Sequence, residues 1–315
     1  MKKYIITFLL GIAVFFFFKL TSNPQKILLN HLEKKYNKEF IIAFDGERSD
    51  GRSKWYEAEI YPKELEGTTR EYDKYYWAKG FVEQGKGGDT YGKVLLNESA
   101  NEFYLPKLKE LFGENVLPVL DLKGAYDSTD YEEEMKLRRK LFEKDSTGKY
   151  LPLSGGIYIF GRVESDKDRE WYRKQIYEFV QFMKQTGTFE YVDLDILVID
   201  ERVLLDEFIT NKIGTITKLE NLSKDLSEEE FLKNRKNIMN ELNSFFDKNK
   251  CYQKNIDNIN KNKLREIGTA IYTKGNNLLY LKLYSPKYIE SNGYKNEKRE
   301  YNDISDIKFD WERWL

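Results

Sequence analysis

Four acidic side chains past the middle of the chain are the residues best suited to chemistry: Asp193, Asp195, Asp200 and Glu201. In an extended strand, Asp193-x-Asp195 points two carboxylates from one face, about 7 Å apart by strand rise. Such a pair could hold a divalent cation, or divide acid and base roles as in glycoside hydrolysis. A simpler account also fits, because alternating acidic residues are how a half-buried strand shows polar groups to water. Glu57 and Glu59 alternate in the same way. Asp193 and Asp195 are therefore the catalytic candidates of an alternative reading, not of the leading one.

Other reactive types are scarce. His31 is the only histidine, which excludes His-rich zinc sites and weakens any Ser-His mechanism. Its spacing from Ile27 and Leu32 makes it an edge residue of an apolar helical stripe. Cys251 is the only cysteine, so no intrachain disulfide can form. Residues 84–92 (QGKGGDTYG) are glycine-rich, but they lack the Gly-Lys-Ser/Thr ending and the G-x-G-x-x-G order of phosphate cradles, and they read as a surface loop. Residues 127–134 (DSTDYEEE) lack the glycine and terminal glutamate spacing of a calcium loop. Acidic residues in a first helical turn complement the helix dipole without a metal. No cofactor or metal site is expected.

The elements that must position these residues follow from periodicity. Asn23-Pro24 opens a helix bearing Ile27, Leu28, Leu32 and Tyr36. Strands are expected over 39–44, 54–61 and 75–83, with 45–53 a turn-rich loop. Ser99 and Glu102 have capping-box spacing ahead of a helix that Pro106 should kink or restart. Residues 116–122 read as a strand, and Thr129 as the cap of a further helix. After a polar boundary at 145–152, residues 156–163 form a strand and Ser165 with Asp168 opens a helix. Tyr172, Ile176, Phe179, Val180 and Met183 lie on one face of that helix, and Gly187 ends it. Residues 189–199 alternate, with Val192, Leu194, Ile196 and Val198 opposite the two aspartates. Ser227 and Glu230 form a capping box for another helix. Residues 267–273 and 277–284 suggest a closing hairpin, and Phe309, Trp311, Trp314 and Leu315 make an apolar tail suited to docking.

The start of the chain sets the expected location. Lys2 and Lys3 precede an uncharged run from Tyr4 to Phe18 that Lys19 closes. Residues 4–20 just reach the roughly 17-residue minimum of a spanning helix if Lys19 snorkels, giving a membrane-lipid contact there with the basic end cytoplasmic. The same charged-then-apolar pattern suits a signal peptide cut after Ser22, which would leave a secreted or periplasmic protein.

The body carries 52 basic and 53 acidic residues in an interspersed pattern, net charge −1, with no nucleic-acid footprint. Charged residues at 33% and hydrophobics at 40% fit a folded core under a solvated surface. The 23 tyrosines could suggest stacking on sugars, but AT-rich codon usage and strand propensity account for them without a ligand. Residues 28–44 (LLNHLEKKYNKEFIIAF) resemble the opening of uncharacterised anchored or lipid-attached extracytoplasmic bacterial proteins, in which a helix ending in Lys-Tyr feeds a strand. That resemblance carries no activity and no site residue.

The expectation is an α+β chain: a segment 1–22 acting as an N-terminal transmembrane helix or signal, then modules 23–146 and 147–315 of helices and antiparallel sheet. The leading function is an anchored extracytoplasmic binding or envelope-interaction protein. The alternatives are an anchored hydrolase, on glycans, using Asp193 and Asp195, and a surface interaction or immunity-type protein using the aromatic tail.

Overall fold

The computed structural model describes residues 23–144, 152–200, 277–294, 300–309 and 311–312, with isolated positions between 227 and 264. It is a mixed α+β protein with two sheets, one in each of two compact units, residues 1–94 and 95–315. Among the described residues no helix is long and apolar enough to cross a membrane. This corrects the expectation of a transmembrane helix; residues 4–20, on which it rested, lie outside the described residues. Cys251, Glu201, residues 267–273, Trp314 and Leu315 also lie outside them.

In the first unit, helix α1 (Pro24–Tyr36) starts at Asn23, whose side chain accepts from the Gln25 amide, and stops at Asn37 in a left-handed conformation. Strands β1 (Phe40–Ser49), β2 (Lys54–Pro62), β3 (Ala78–Glu83) and β4 (Lys86–Asp89) form an antiparallel sheet in sequence order. Alternation sets its two faces. Tyr56, Ala58 and Ile60 are buried, as are the α1 residues Leu28 and Leu32. On the opposite face Glu57 pairs with Lys79 and Glu59 with Lys74, and Phe44 is 64% exposed.

The glycine-rich stretch is not a loop. Gln84 and Gly85 take positive φ as the tight turn of a hairpin, and the glycines that follow build β4 against β3. They are glycines because other groups occupy the Cβ positions. A Cβ on Gly87 would lie 2.7 Å from His31 of α1, and one on Gly88 would enter the Phe81 ring.

The division between units falls inside helix α2 (Tyr91–Phe112), between Val94 and Leu95, rather than near residue 147. Helix α2 runs through Ser99, which was expected to start it, and contains Pro106 without interruption. Ser99 instead accepts from the Tyr131 amide at the start of α3 (Tyr131–Lys144), where Asp130, not Thr129, caps the Glu133 amide. Glu134 is buried and binds the Asp127 and Ser128 amides and Arg138, so its role is to fix the loop before α3.

The second sheet has the order β5 (Val116–Leu122), β6 (Leu153–Gly161), β7 (Val192–Asp200), β8 (Asn277–Tyr284) and β9 (Trp311–Glu312). It is not wholly antiparallel as expected, because β6 and β7 are parallel neighbours joined by α4 (Asp166–Gln185). A parallel pair needs such a crossover. The Ser165–Asp168 capping box opens α4, and its stripe from Tyr172 to Met183 is buried. That stripe packs with Leu96, Tyr104 and Leu108 of α2 and with Val192, Leu194, Ile196, Val198, Leu279, Leu281 and Leu283 of the sheet. Asn101 and Asn97 of α2 accept from the Leu120 and Leu122 amides of the edge strand β5, which closes part of an edge that could otherwise template pairing.

Candidate functional site

The strand that places the two candidate carboxylates is fixed by its apolar half. Burial of Val192, Leu194, Ile196 and Val198 turns Asp193 and Asp195 to the opposite face, because the side-chain period of a strand is two. The residues facing them come from β8, whose core half is Leu279, Leu281 and Leu283. Antiparallel register sets Asp195 against Lys282 and Asp193 against Tyr284.

Lys282 bridges the pair. Its Nζ lies 2.8 Å from Asp193 Oδ1 and 2.9 Å from Asp195 Oδ1, with side-chain exposures of 24% for the lysine, 21% for Asp193 and 34% for Asp195. The Tyr280 hydroxyl donates to Asp195 Oδ1 at 2.8 Å, and the Tyr288 hydroxyl donates to Asp193 Oδ2 at 3.0 Å. Burial opposes the charge on Lys282, but the Asp195 and Asp193 carboxylates outweigh it and hold its pKa well above the ordinary lysine value. For Tyr288, burial and then the bond to Asp193 push the phenol above its usual value.

Three tyrosines border this cluster. Tyr284 at the end of β8 stacks on Tyr288 of the short helix α5 (Pro286–Ser291), with ring centroids 5.6 Å apart and planes 8° from parallel. Tyr294, 42% exposed, lies 5.7 Å from Tyr284 at a 51° tilt. The turn into α5 is held by Ser285, which is fully buried. Its hydroxyl donates to the Glu190 carbonyl and accepts from the Val192 amide, tying the start of β7 to the end of β8.

This arrangement bears on both chemistries raised for the aspartates. Acid and base roles need two carboxyl groups in contrasting surroundings. Here one ammonium serves both, and each receives one tyrosine hydroxyl. A cation site needs carboxylate oxygens open to the ion, whereas an ammonium stands between these two. Among the described residues no three His, Cys, Asp or Glu side chains gather as metal ligands would. The Asp200 side chain is outside the described residues.

Sequence reasoning missed Lys282, Tyr280 and Tyr288. A signal was present: residues 280–284 (YLKLY) alternate as strictly as residues 192–196 (VDLDI), with a cation where the other strand carries acids. Complementary patterns of this kind mark strands able to pair.

A second polar cluster lies in the first unit. Asp89 at the end of β4 has a fully buried side chain that accepts from Lys35 Nζ at 2.9 Å, the Tyr36 hydroxyl at 2.6 Å and the Tyr91 amide at 2.9 Å. His31 Nε2 lies 2.9 Å from the same carboxylate. Burial works to raise the Asp89 pKa, but the bonds from Tyr36, Lys35 and His31 together lower it below the usual value. His31 is thus an edge residue of its helix, as its spacing implied, and its partner is a carboxylate that fastens α1 to β4.

No protein-family model matches the chain, and no curated protein matches it. A solved structure of a DUF5037 family protein from Ruminococcus gnavus is similar at 13% identity over 60% of this chain and 78% of that one, with a TM-score of 0.35. A likeness at that level carries no argument about this chain.

Proposed function

We propose that this protein is a non-enzymatic binding protein, exported from the cytoplasm, and that Asp193 and Asp195 organise a binding surface rather than react. The observation that carries the reading is the single Lys282 ammonium within 2.9 Å of both carboxylates, each of which also takes a tyrosine hydroxyl. Groups committed to a strand-to-strand bridge make a rigid polar floor. The tyrosines around it supply the amphipathic contact area, at low entropy cost, that recognition surfaces favour. Export rests on the basic-then-apolar order of residues 1–18, which suits a cleaved signal segment.

A panel of chromogenic glycosides and esters tests the central claim, with Asp195→Asn as the control. No turnover is expected from either protein; turnover that disappears in Asp195→Asn would reject the binding reading. Mass spectrometry of the protein recovered from its host tests export, with a mature chain starting near Asn23 expected outside the cytoplasm.

A further inference from the structure

The tyrosine ledge beside the bridged aspartates points to a ligand class. We infer that Tyr284 and Tyr294, together with Asp195 and Lys282, form a binding site for a neutral glycan chain. The inference rests on the binding reading above and adds the chemistry of its ligand.

Three observations combine. The first is shape. Tyr284 is half-buried and locked by stacking on Tyr288, while Tyr294 is 42% exposed and tilted 51° from it. Tyr288 stacks on Tyr284 and the Lys282 Nζ lies 5.7 Å from the Tyr284 ring centroid, so Tyr294 is the exposed ring of the ledge and Tyr284 is the ring that backs it. A pyranose offers a face of C–H bonds with partial positive charge, which complements the negative face of an aromatic ring. The second is polarity. Asp195 keeps 34% and Lys282 24% of their side-chain exposure. An acceptor and a donor are therefore fixed beside the rings, as hydroxyl recognition requires, and neither must be reoriented when ligand arrives. The third is charge. Two carboxylates against one ammonium leave the floor with one formal negative charge, which disfavours a phosphate, uronate or other anionic ligand.

The alternatives fit less well. A small cation would have to displace the Lys282 ammonium from between the carboxylates. A quaternary ammonium needs rings arranged around a gap, whereas these centroids are 5.6, 5.7 and 6.3 Å apart, in contact with one another. The abundance of tyrosine is explained by codon usage and strand propensity. The convergence of three of them on one polar bridge is not.

The test is calorimetric titration of the full chain with cellohexaose, xylohexaose, maltohexaose and chitohexaose, and with a hexagalacturonate as the anionic control. A neutral hexasaccharide is expected to bind with Kd on the order of 0.1–1 mM, and the galacturonate to bind more weakly. Tyr294→Ala should weaken binding at least about tenfold, the scale of a lost aromatic anchor, while Tyr294→Phe keeps it within about threefold because the ring remains. Tyr294 is exposed, so neither change threatens the fold; equal melting temperatures confirm this. Failure of all four neutral sugars to bind at millimolar concentration overturns the glycan inference, and so does a Tyr294→Ala variant that binds like the native chain. A reducing-end assay on the same mixtures separates the two proposals. Asp195-dependent cleavage would sink the non-enzymatic reading while leaving the ledge as a substrate site, whereas absent binding sinks only the glycan inference.

Discussion

Replacing Lys282 with methionine keeps the stem and removes the ammonium from between Asp193 and Asp195. The two carboxylates, whose nearest oxygens are no more than about 5.7 Å apart, then repel by about 3 kcal/mol at an effective dielectric constant of about 20. Breaking a fully buried pair by removing one partner costs about 3–5 kcal/mol. These carboxylates keep 21% and 34% of their side-chain exposure, so water recovers part of that loss. The expected destabilisation at neutral pH is therefore about 2–3 kcal/mol. For a unit of this size it corresponds to a fall in melting temperature of roughly 5–10 °C.

The pH dependence has a definite sign. In the native chain the raised Lys282 pKa contributes stability that is complete at neutral pH and lost only as pH rises through the alkaline range. The triple variant Lys282→Met/Asp193→Asn/Asp195→Asn should regain most of the lost stability at neutral pH. Thermal melts by circular dichroism at several pH values check these statements. A Lys282→Met protein that melts with the native chain, or a triple variant no more stable than Lys282→Met, would show that the bridge does not organise this face.

Three further outcomes are expected. Asp89→Asn should destabilise the first unit by about 3 kcal/mol, because a buried anion shared by Lys35, Tyr36 and His31 is removed. The lowered Asp89 pKa contributes stability above the ordinary carboxylate range that disappears as pH falls below about 4, and the variant should lack that acid-sensitive component in urea melts. Gly87→Ala should cost about 1–3 kcal/mol, since its Cβ would lie 2.7 Å from His31 and force α1 to shift, measurable as a lower urea midpoint. Tyr104→Phe removes a 2.7 Å hydroxyl contact with Tyr131 in a site where both rings are buried, and should lower stability by about 1–3 kcal/mol without altering far-ultraviolet dichroism.

The second unit was the more legible in sequence. The Ser165–Asp168 box, the stripe from Tyr172 to Met183 and the alternation from Val192 to Val198 are all local signals, and each appears where its spacing implies. Signals that depended on context misled. Ser99 and Glu102 have capping-box spacing, yet the apolar positions of Val94, Leu96 and Ala100 on the same helix carry α2 straight through them. The glycines at 87 and 88 read as a loop because glycine weakens strands by propensity. Their requirement came from His31 and Phe81, groups that approach from other elements.

The sequence alone determined which face of each strand and helix is apolar, where several helices begin, and that Asp193 and Asp195 point the same way. Those properties depend on residues within a turn or two of one another. The tertiary structure decided what the aspartates face. Lys282 and Tyr280 lie more than eighty positions further along the chain, and only the register of β7 against β8 brings them opposite. Pairing between distant strands is selected by the packing of their buried halves. A polar contact on the other face is a consequence of that packing: the alternation within each strand offers complementary charges, and the register decides which of them meet.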